Sequence, residues 1–423
     1  MSVNTVFPSV RIGQIAQVRG GKRLPKGKLV QDEPTSHPYL RVTDFRPDGL
    51  DRTNISYIDP ETYQSIKRYT ITADEVYISI AGTIGLVGIV PEALSGANLT
   101  ENAAKICQIA PSMDKQYLMY FLRTDLGQAR ILSKVGGVAQ PKLALYRIEE
   151  IEVPIPPLPT QRKIAAILSA YDDLIEVNTR RIAILEEMAR GLYREWFVRF
   201  RFPGHEGVRM VESAVGLAPE GWEVRPLADF VRIRRDNINP GQFPDETFAH
   251  FSIPAYDEGR MPLLEKGETI KSGKFLLSQP CVLLSKLNPR IPRVWFAEPE
   301  ATNRAISSSE FLVLTPRSPV NRVFLYAICS SQEFLDVFTG LALGTSTSHQ
   351  WAKPDDLLKL LWAVPSASLM TEFARQAEPM LDQMSLLRQK NANLHRTRDL
   401  LLPRLVAGEV NVSKLEIGEG RAT

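Results

Sequence analysis

Near the start of the chain, Gly20-Gly21-Lys22-Arg23-Leu24-Pro25-Lys26-Gly27-Lys28 sets four cations, Lys22, Arg23, Lys26 and Lys28, on a stretch rich in glycine and proline. Arg232, Arg234 and Arg235 stand at the corresponding place in the second half of the chain, and Lys286, Arg290 and Arg293 form a further group there. Ammonium and guanidinium groups on loops replace the counterions of a polyphosphate and position it without reading its sequence. A charge run is also what any solvated face carries; its recurrence at matching places is what favours phosphate contact. Two polar loops carry groups of another kind. The loop 136–142 contains Gln140 and Lys142, and the loop 344–351 contains Thr347, His349 and Gln350. Hydroxyls and amides hydrogen-bond base edges or phosphates, and glutamine pairs with adenine, although an ordinary Ser/Thr-rich turn has the same composition. His349 reads as a polar contact rather than a metal ligand.

Other chemistries lack their residues. The five histidines form no HxxH or HExxH group, and Cys107, Cys281 and Cys329 form no CxxC pair, which argues against a zinc site or a disulfide framework. No GxxxxGK[ST] phosphate loop is present, so ATP hydrolysis is not expected. An Asn/Asp-Pro-Pro-aromatic methyltransferase motif is missing; Asn288-Pro289-Arg290 comes nearest and fails. Gly82, Gly85 and Gly88 are spaced GxxGxxG, which favours bends or tight turns over a phosphate-cradling nest. The 423 residues are 44% hydrophobic and 23% charged, enough apolar material for two or three cored domains rather than a disordered chain. Fifty-one basic and 48 acidic residues leave a net charge of only +3, which excludes a whole-chain polycation. The N-terminus lacks a signal-peptide pattern. The longest uncharged run, 76–90, is broken by Gly, Ser and Thr and falls short of the ~18 apolar residues of a membrane span. A cytoplasmic protein is expected.

The elements that must carry these loops are written twice. After a Pro-rich stretch, Ile164, Leu168, Tyr171, Ile175, Asn178, Ile182, Leu185, Ala189, Leu192 and Trp196 recur in alternating steps of four and three, a coiled-coil seam, with Thr160 as the expected N-cap. Phe373, Ala377, Met380, Met384, Leu387, Asn391, Leu394, Arg398, Leu401 and Leu405 repeat the pattern, with Pro379 placed to kink or delay the first turns. Phe373 lies 209 residues after Ile164, and Leu394 lies 209 after Leu185. Weaker echoes precede each helix: Val76-Tyr77-Ile78-Ser79 resembles Val282-Leu283-Leu284-Ser285, and residues 11–15 resemble 226–230. Strands are expected at 75–80, 282–285 and 311–314, and shorter helices at 115–126 and 320–338. If the helices pair antiparallel with Ile164 opposite Leu405 and Trp196 opposite Phe373, the same register sets Asn178 opposite Asn391. Each amide then satisfies the other, whereas a one-heptad shift leaves both against aliphatic groups; the alternative is that each faces solvent or a partner helix.

Several motifs in this order resemble those of type I restriction-modification specificity subunits. They are Leu158-Pro159-Thr160-Gln161-Arg162-Lys163-Ile164, Leu192-Tyr193-Arg194-Glu195-Trp196-Phe197, Arg201-Phe202-Pro203-Gly204-His205-Glu206 and Gly221-Trp222-Glu223-Val224. Ala81-Gly82-Thr83-Ile84-Gly85 after a strand and Leu401-Leu402-Pro403-Arg404-Leu405-Val406-Ala407-Gly408-Glu409 near the end complete the set. The second half has Lys286-Leu287-Asn288-Pro289 in place of the GTIG run, so its backbone should differ there. The resemblance implies a mixed α/β (α+β) chain with an internal pseudo-repeat and two globular target-recognition domains. These would occupy 1–155 and 222–365, each reading half of a split, asymmetric DNA sequence. Two long antiparallel coiled-coil helices, 156–200 and 366–410, would act as spacer, with a linker at 201–221 and a tail at 411–423. The spacer seam includes Ile164, Leu168, Ile175, Asn178, Ile182, Leu185, Met384, Leu387, Asn391 and Leu394. The resemblance further implies a non-catalytic subunit that binds no cofactor. Its partners would be double-stranded DNA, two modification subunits holding S-adenosylmethionine and methylating adenine, and ATP-driven restriction subunits, all serving host defence. The reading that competes with it is a coiled-coil interaction scaffold that binds no DNA.

Overall fold

The computed structural model describes residues 7–137, 141–343 and 350–412. They fall into two compact units, one drawn from Met1–Leu174 with Leu394–Thr423 and the other from Ile175–Asn393.

The first unit is closed on itself by Ser9–Arg11, which pairs antiparallel with Glu152–Pro154. Its central sheet runs in the order Gln17–Gly20, Ala103–Cys107, Val76–Ser79, Val87–Ile89, with every neighbour antiparallel. A second sheet orders Ser56–Tyr57, Pro38–Leu40, Ala97–Leu99 and Thr70–Ile71, and its middle pair is parallel. Lys115–Arg123 and Asp125–Ser133 are two short helices rather than the single one expected over 115–126. Thr124 divides them, because its Oγ1 accepts the amide of Gly127 at 2.9 Å and starts a new helix.

The second unit repeats this plan. Glu223–Pro226 pairs antiparallel with Leu361–Val364, and the central sheet orders Val231–Arg234, Phe311–Pro316, Cys281–Ser285 and Val294–Ala297. The accompanying sheet has five strands and again one parallel pair, Thr247–Phe251 with Arg304–Ser307. Its helices Arg322–Ser330 and Gln332–Gly340 are divided by Ser331, whose Oγ accepts the amide of Phe334 at 3.3 Å. The stretch read as a linker at 201–221 has structure of its own. Phe202 is buried against Trp222, and Met210–Ser213 pairs with Gly216–Pro219 in a hairpin.

The first long helix spans Leu158–Tyr193 and ends in a π-helical turn at Arg194–Val198. It begins two residues before Thr160, the expected cap. Pro159 lies in the first turn, where a missing N–H costs nothing, and the carbonyl of Pro157 accepts the amides of Thr160 and Gln161. Gln161 is fully buried. It donates to the carbonyls of Ser112 and Pro156 at 2.9 and 2.8 Å and accepts the amide of Asp114 at 2.8 Å. The second long helix spans Ala367–Ala407 and runs through Pro379 without a break, so the start is not delayed as the sequence suggested. Gly408, at φ +80°, ends it: its amide and that of Glu409 return to the carbonyls of Leu405 and Arg404.

Each unit builds part of both long helices into its core. In the first unit, Ile164 and Leu168 share a buried cluster with Leu402 and Leu405, beside Ile78, Ile106, Tyr117 and Phe121. Asp172 there accepts from Tyr120 and Arg398, both at 2.6 Å. In the second unit, Tyr193, Trp196, Phe373 and Met384 join Val282, Leu284 and Phe324, with Trp196 edge-on to Phe373 at 6.0 Å. Within that unit the helices run antiparallel in the expected register. Asn178 Nδ2 donates to Asn391 Oδ1 at 2.8 Å. The exchange is not reciprocal: Asn391 Nδ2 donates instead to the Ile175 carbonyl and Thr179 Oγ1, both at 3.2 Å. Met384 and Leu387 are buried, whereas Ile175, Ile182, Leu185 and Leu394 are half-buried.

Candidate nucleic-acid interface

Each unit opens a cleft at the end of its central sheet. In the first unit a cavity of about 490 Å³ is lined by Gly20, Gly21, Lys22, Arg23, Ile80, Glu101 and 142–145, among others. In the second, one of about 310 Å³ is lined by Ile233, Arg234, Arg235, Phe275, Lys286, Phe311, Leu312 and Pro354. The same three chain segments meet in both places. One leaves the first strand of the central sheet, the next follows its inner strand, and the third leads into a short helix. The hydrogen bonds match as well. Ile80 donates its amide to the Asn102 carbonyl at 2.8 Å and accepts from Leu143 at 3.0 Å. Lys286 donates to the Glu310 carbonyl at 3.0 Å and accepts from Ala352 at 3.1 Å. Leu143 and Ala352 are again 209 residues apart.

The backbone of the first cleft is fixed by close approach. Gly21 donates to the Ala103 carbonyl and Lys22 to the Leu99 carbonyl, at 2.9 and 2.8 Å. A Cβ on Gly21 would lie 2.0 Å from the Thr100 carbonyl oxygen, so only glycine fits here. Lys22 reaches over the Tyr69 ring at 5.6 Å, and the Tyr39 hydroxyl donates to the Lys22 carbonyl at 2.8 Å. Arg23, largely exposed, donates to Glu101 at 2.6 Å. Partial burial works against ionisation of Glu101, but the hydrogen bonds from Arg23 and Thr100 hold its carboxyl below the usual range. Lys142 is exposed on the opposite lip.

Not every expected cation reaches a cleft. Lys26 and Lys28 are absent from the lining, and Lys28 is held by Glu61 at 2.6 Å and Asp59 at 3.6 Å. In the second unit Arg234 is turned onto Asp236, at 2.9 Å from Nε and 2.6 Å from Nη2, while Arg235 is exposed. Arg232 lines a shallower groove beside Arg234, Arg235 and Arg317. Arg290 is exposed on the turn after Lys286, where Asn288 adopts φ +49° and the backbone differs from that of the first unit as expected. Arg293 is committed to the fold. Only 11% of its side chain is exposed, and it grips Asp257 with two bonds of 2.7 and 2.8 Å, so it is not offered to a phosphate. The backbone amide of Gln350 donates to Asn288 Oδ1 at 3.3 Å, and the residue is half-buried. Gln140, Thr347 and His349 lie outside the described residues. Gly82 and Gly85 sit at positive φ in the turn after Val76–Ser79, and Gly88 lies within Val87–Ile89.

Glu101 and Arg317 escaped the sequence reading. Glu101 carries the wrong charge for a phosphate search, and Arg317 stands alone in sequence, brought to Arg232 only by strand pairing. The arrangement offers cations to phosphate oxygens, together with one fixed carboxylate. Among the described residues, no group of three or more His, Cys, Asp or Glu is placed to hold a metal ion.

A family model described as the type I restriction modification DNA specificity domain matches residues 7–187. The type I restriction enzyme MjaIX specificity subunit of Methanocaldococcus jannaschii is 26% identical over 313 residues, 71% of this chain and 70% of that protein. The HindI specificity subunit of Haemophilus influenzae is 37% identical over 344 residues, 64% of this chain and 71% of that protein. The crystal structure of a type I restriction-modification S subunit from M. genitalium has the same fold. It superposes with a TM-score of 0.59 at 12% identity, covering 96% of this chain and 97% of that one.

Proposed function

The chain belongs to the type I restriction-modification specificity subunits, and from that premise we propose that its two equivalent clefts are where the two halves of a bipartite DNA site are held. It is the non-catalytic, sequence-reading component of a complex that methylates or cleaves DNA. It assembles with modification and restriction subunits. The observation that carries the proposal is the recurrence of one cation-lined cleft, built from the same three segments with matching hydrogen bonds, in both units. Lys22, Arg23 and Lys142 meet phosphates in the first, and Arg234, Arg235 and Lys286 in the second, with Arg232 and Arg317 extending the second along its groove. Sequence is read by polar groups standing among them.

Two modification subunits complete the methyltransferase, bringing S-adenosylmethionine; ATP belongs to the restriction subunits. A feature of the first long helix supports a helical contact. Val177, Ile184 and Met188, in steps of seven and four, form an exposed apolar stripe beside the seam. No helix among the described residues is long and apolar enough to cross a membrane, and the proposed location is the cytoplasm. The test is selection from random duplexes by the chain assembled with its modification subunits. One asymmetric sequence of two specified halves around an unspecified spacer is expected. Retention of duplex DNA with no sequence preference would refute the assignment of the clefts.

A further inference from the structure

The first cleft holds a group that a phosphate site should avoid. Glu101 stands on the turn between Ala97–Leu99 and Ala103–Cys107, lining the cavity with Lys22, Arg23 and Lys142. A carboxylate there repels the backbone that the cations attract, while it can accept from a hydrogen-bond donor of the bases. Its geometry is fixed. Arg23 Nε donates to Oε1 at 2.6 Å and Thr100 Oγ1 to Oε2 at 2.9 Å. The turn is tied down by the Thr100 amide on the Leu40 carbonyl at 3.0 Å and by the contact of Gly21 with Thr100. Each carboxylate oxygen accepts more than one hydrogen bond, so acceptor capacity remains on a side chain that is 27% exposed.

We propose that Glu101 is a base-reading residue of the first unit, its carboxylate accepting a hydrogen bond from the exocyclic amino group of a cytosine or adenine in the half-site held there. An ionised carboxylate only accepts. Guanine O6 and N7 and thymine O4 are acceptors too and are rejected; cytosine N4 and adenine N6 are donors and are selected. The corresponding turn of the second unit carries Glu310, one position further along, with Oε2 buried and without a partner. Of these two carboxylates, only Glu101 lines its cavity.

This rests on the clefts being DNA sites, and the experiment separates the two ideas. Chains carrying Glu101→Gln or Glu101→Ala, each assembled with modification subunits, select bound duplexes from a random pool beside the unaltered complex. The expected result is that one position of one half-site, C or A in the unaltered selection, admits other bases. Discrimination there falls about five- to hundredfold, and the other half-site is unchanged. Glutamine keeps one oxygen to accept from Arg23, and its NH2 group donates to the Thr100 hydroxyl, which turns to accept, so the cleft keeps its shape. If both variants keep every base preference while affinity shifts evenly across sequences, Glu101 merely tethers Arg23 and the inference is wrong. If the unaltered complex selects no half-site, the reading of the clefts fails, and this inference with it.

Discussion

Asn178 and Asn391 show how much a single polar layer specifies. Their placement was legible because both break an aliphatic heptad pattern and the ends of the helices fix one register. The further bonds of Asn391 to Ile175 and Thr179 were not legible, since they depend on which amide face turns inward. Asn178→Leu alone leaves the half-buried Asn391 amide oxygen unpaired, a cost toward the lower end of about 1–3 kcal/mol. Adding Asn391→Leu should recover part of it, with a coupling of about 0.5–3 kcal/mol between the two sites in denaturant melts; strict additivity would show that they do not interact. The cations were legible as a group but not individually, because sequence does not reveal which of them has found a carboxylate. Four freely acting cations would change the slope of log affinity against log salt by about 3.6. With Arg23 on Glu101 and Lys28 on Glu61, replacing Lys22, Arg23, Lys26 and Lys28 by Ala should flatten it by less, with the preferred sequence retained. An unchanged slope would remove this loop from the interface.

The long helices were the most legible elements, since an alternating four-three pattern over so many turns has one reading. Their ends were less so. Thr160 looked like a cap, but Pro159 is better placed inside the first turn, and Pro379 is accommodated within Ala367–Ala407. The short helices were misjudged at Thr124 and Ser331, where a side-chain oxygen competes for the amides of the next turn. If the helix pair sets the spacing of the half-sites, its length is testable. Four residues inserted near Asn178 and four near Asn391 add about 6 Å and a net turn of about 40° to each helix. One base pair adds a turn of about 34–36° and a rise of about 3.4 Å. Rotation should dominate, because a cleft turned from its groove reads nothing, whereas a small axial excess is absorbed in the connections. The variant should methylate the same two half-sites with a spacer one base pair longer, as mapping of methylated adenines would show. Methylation at the original spacing would mean that the helices do not set it.

At the scale of the whole molecule, the duplication was visible in sequence through the recurring 209-residue offset, and the structure carries it into sheet order, helix pairs and cleft hydrogen bonds. What stayed hidden were the accompanying sheets. Their parallel pairs, such as Pro38–Leu40 with Ala97–Leu99, join short strands far apart in the chain, and no periodicity marks them. The clefts were half visible: the loops could be named, but only folding shows that Gly21, Glu101 and Lys142 meet. The central claim is that each unit reads its own half of the DNA site. It is tested most directly by replacing residues 7–155 with the matching segment of a relative that recognises a different sequence. The hybrid is then assembled with modification subunits and the methylated sites are mapped. One half of the bipartite site should change to that of the donor while the other half and the spacer length stay as they were; a change in both halves, or in neither, would contradict it.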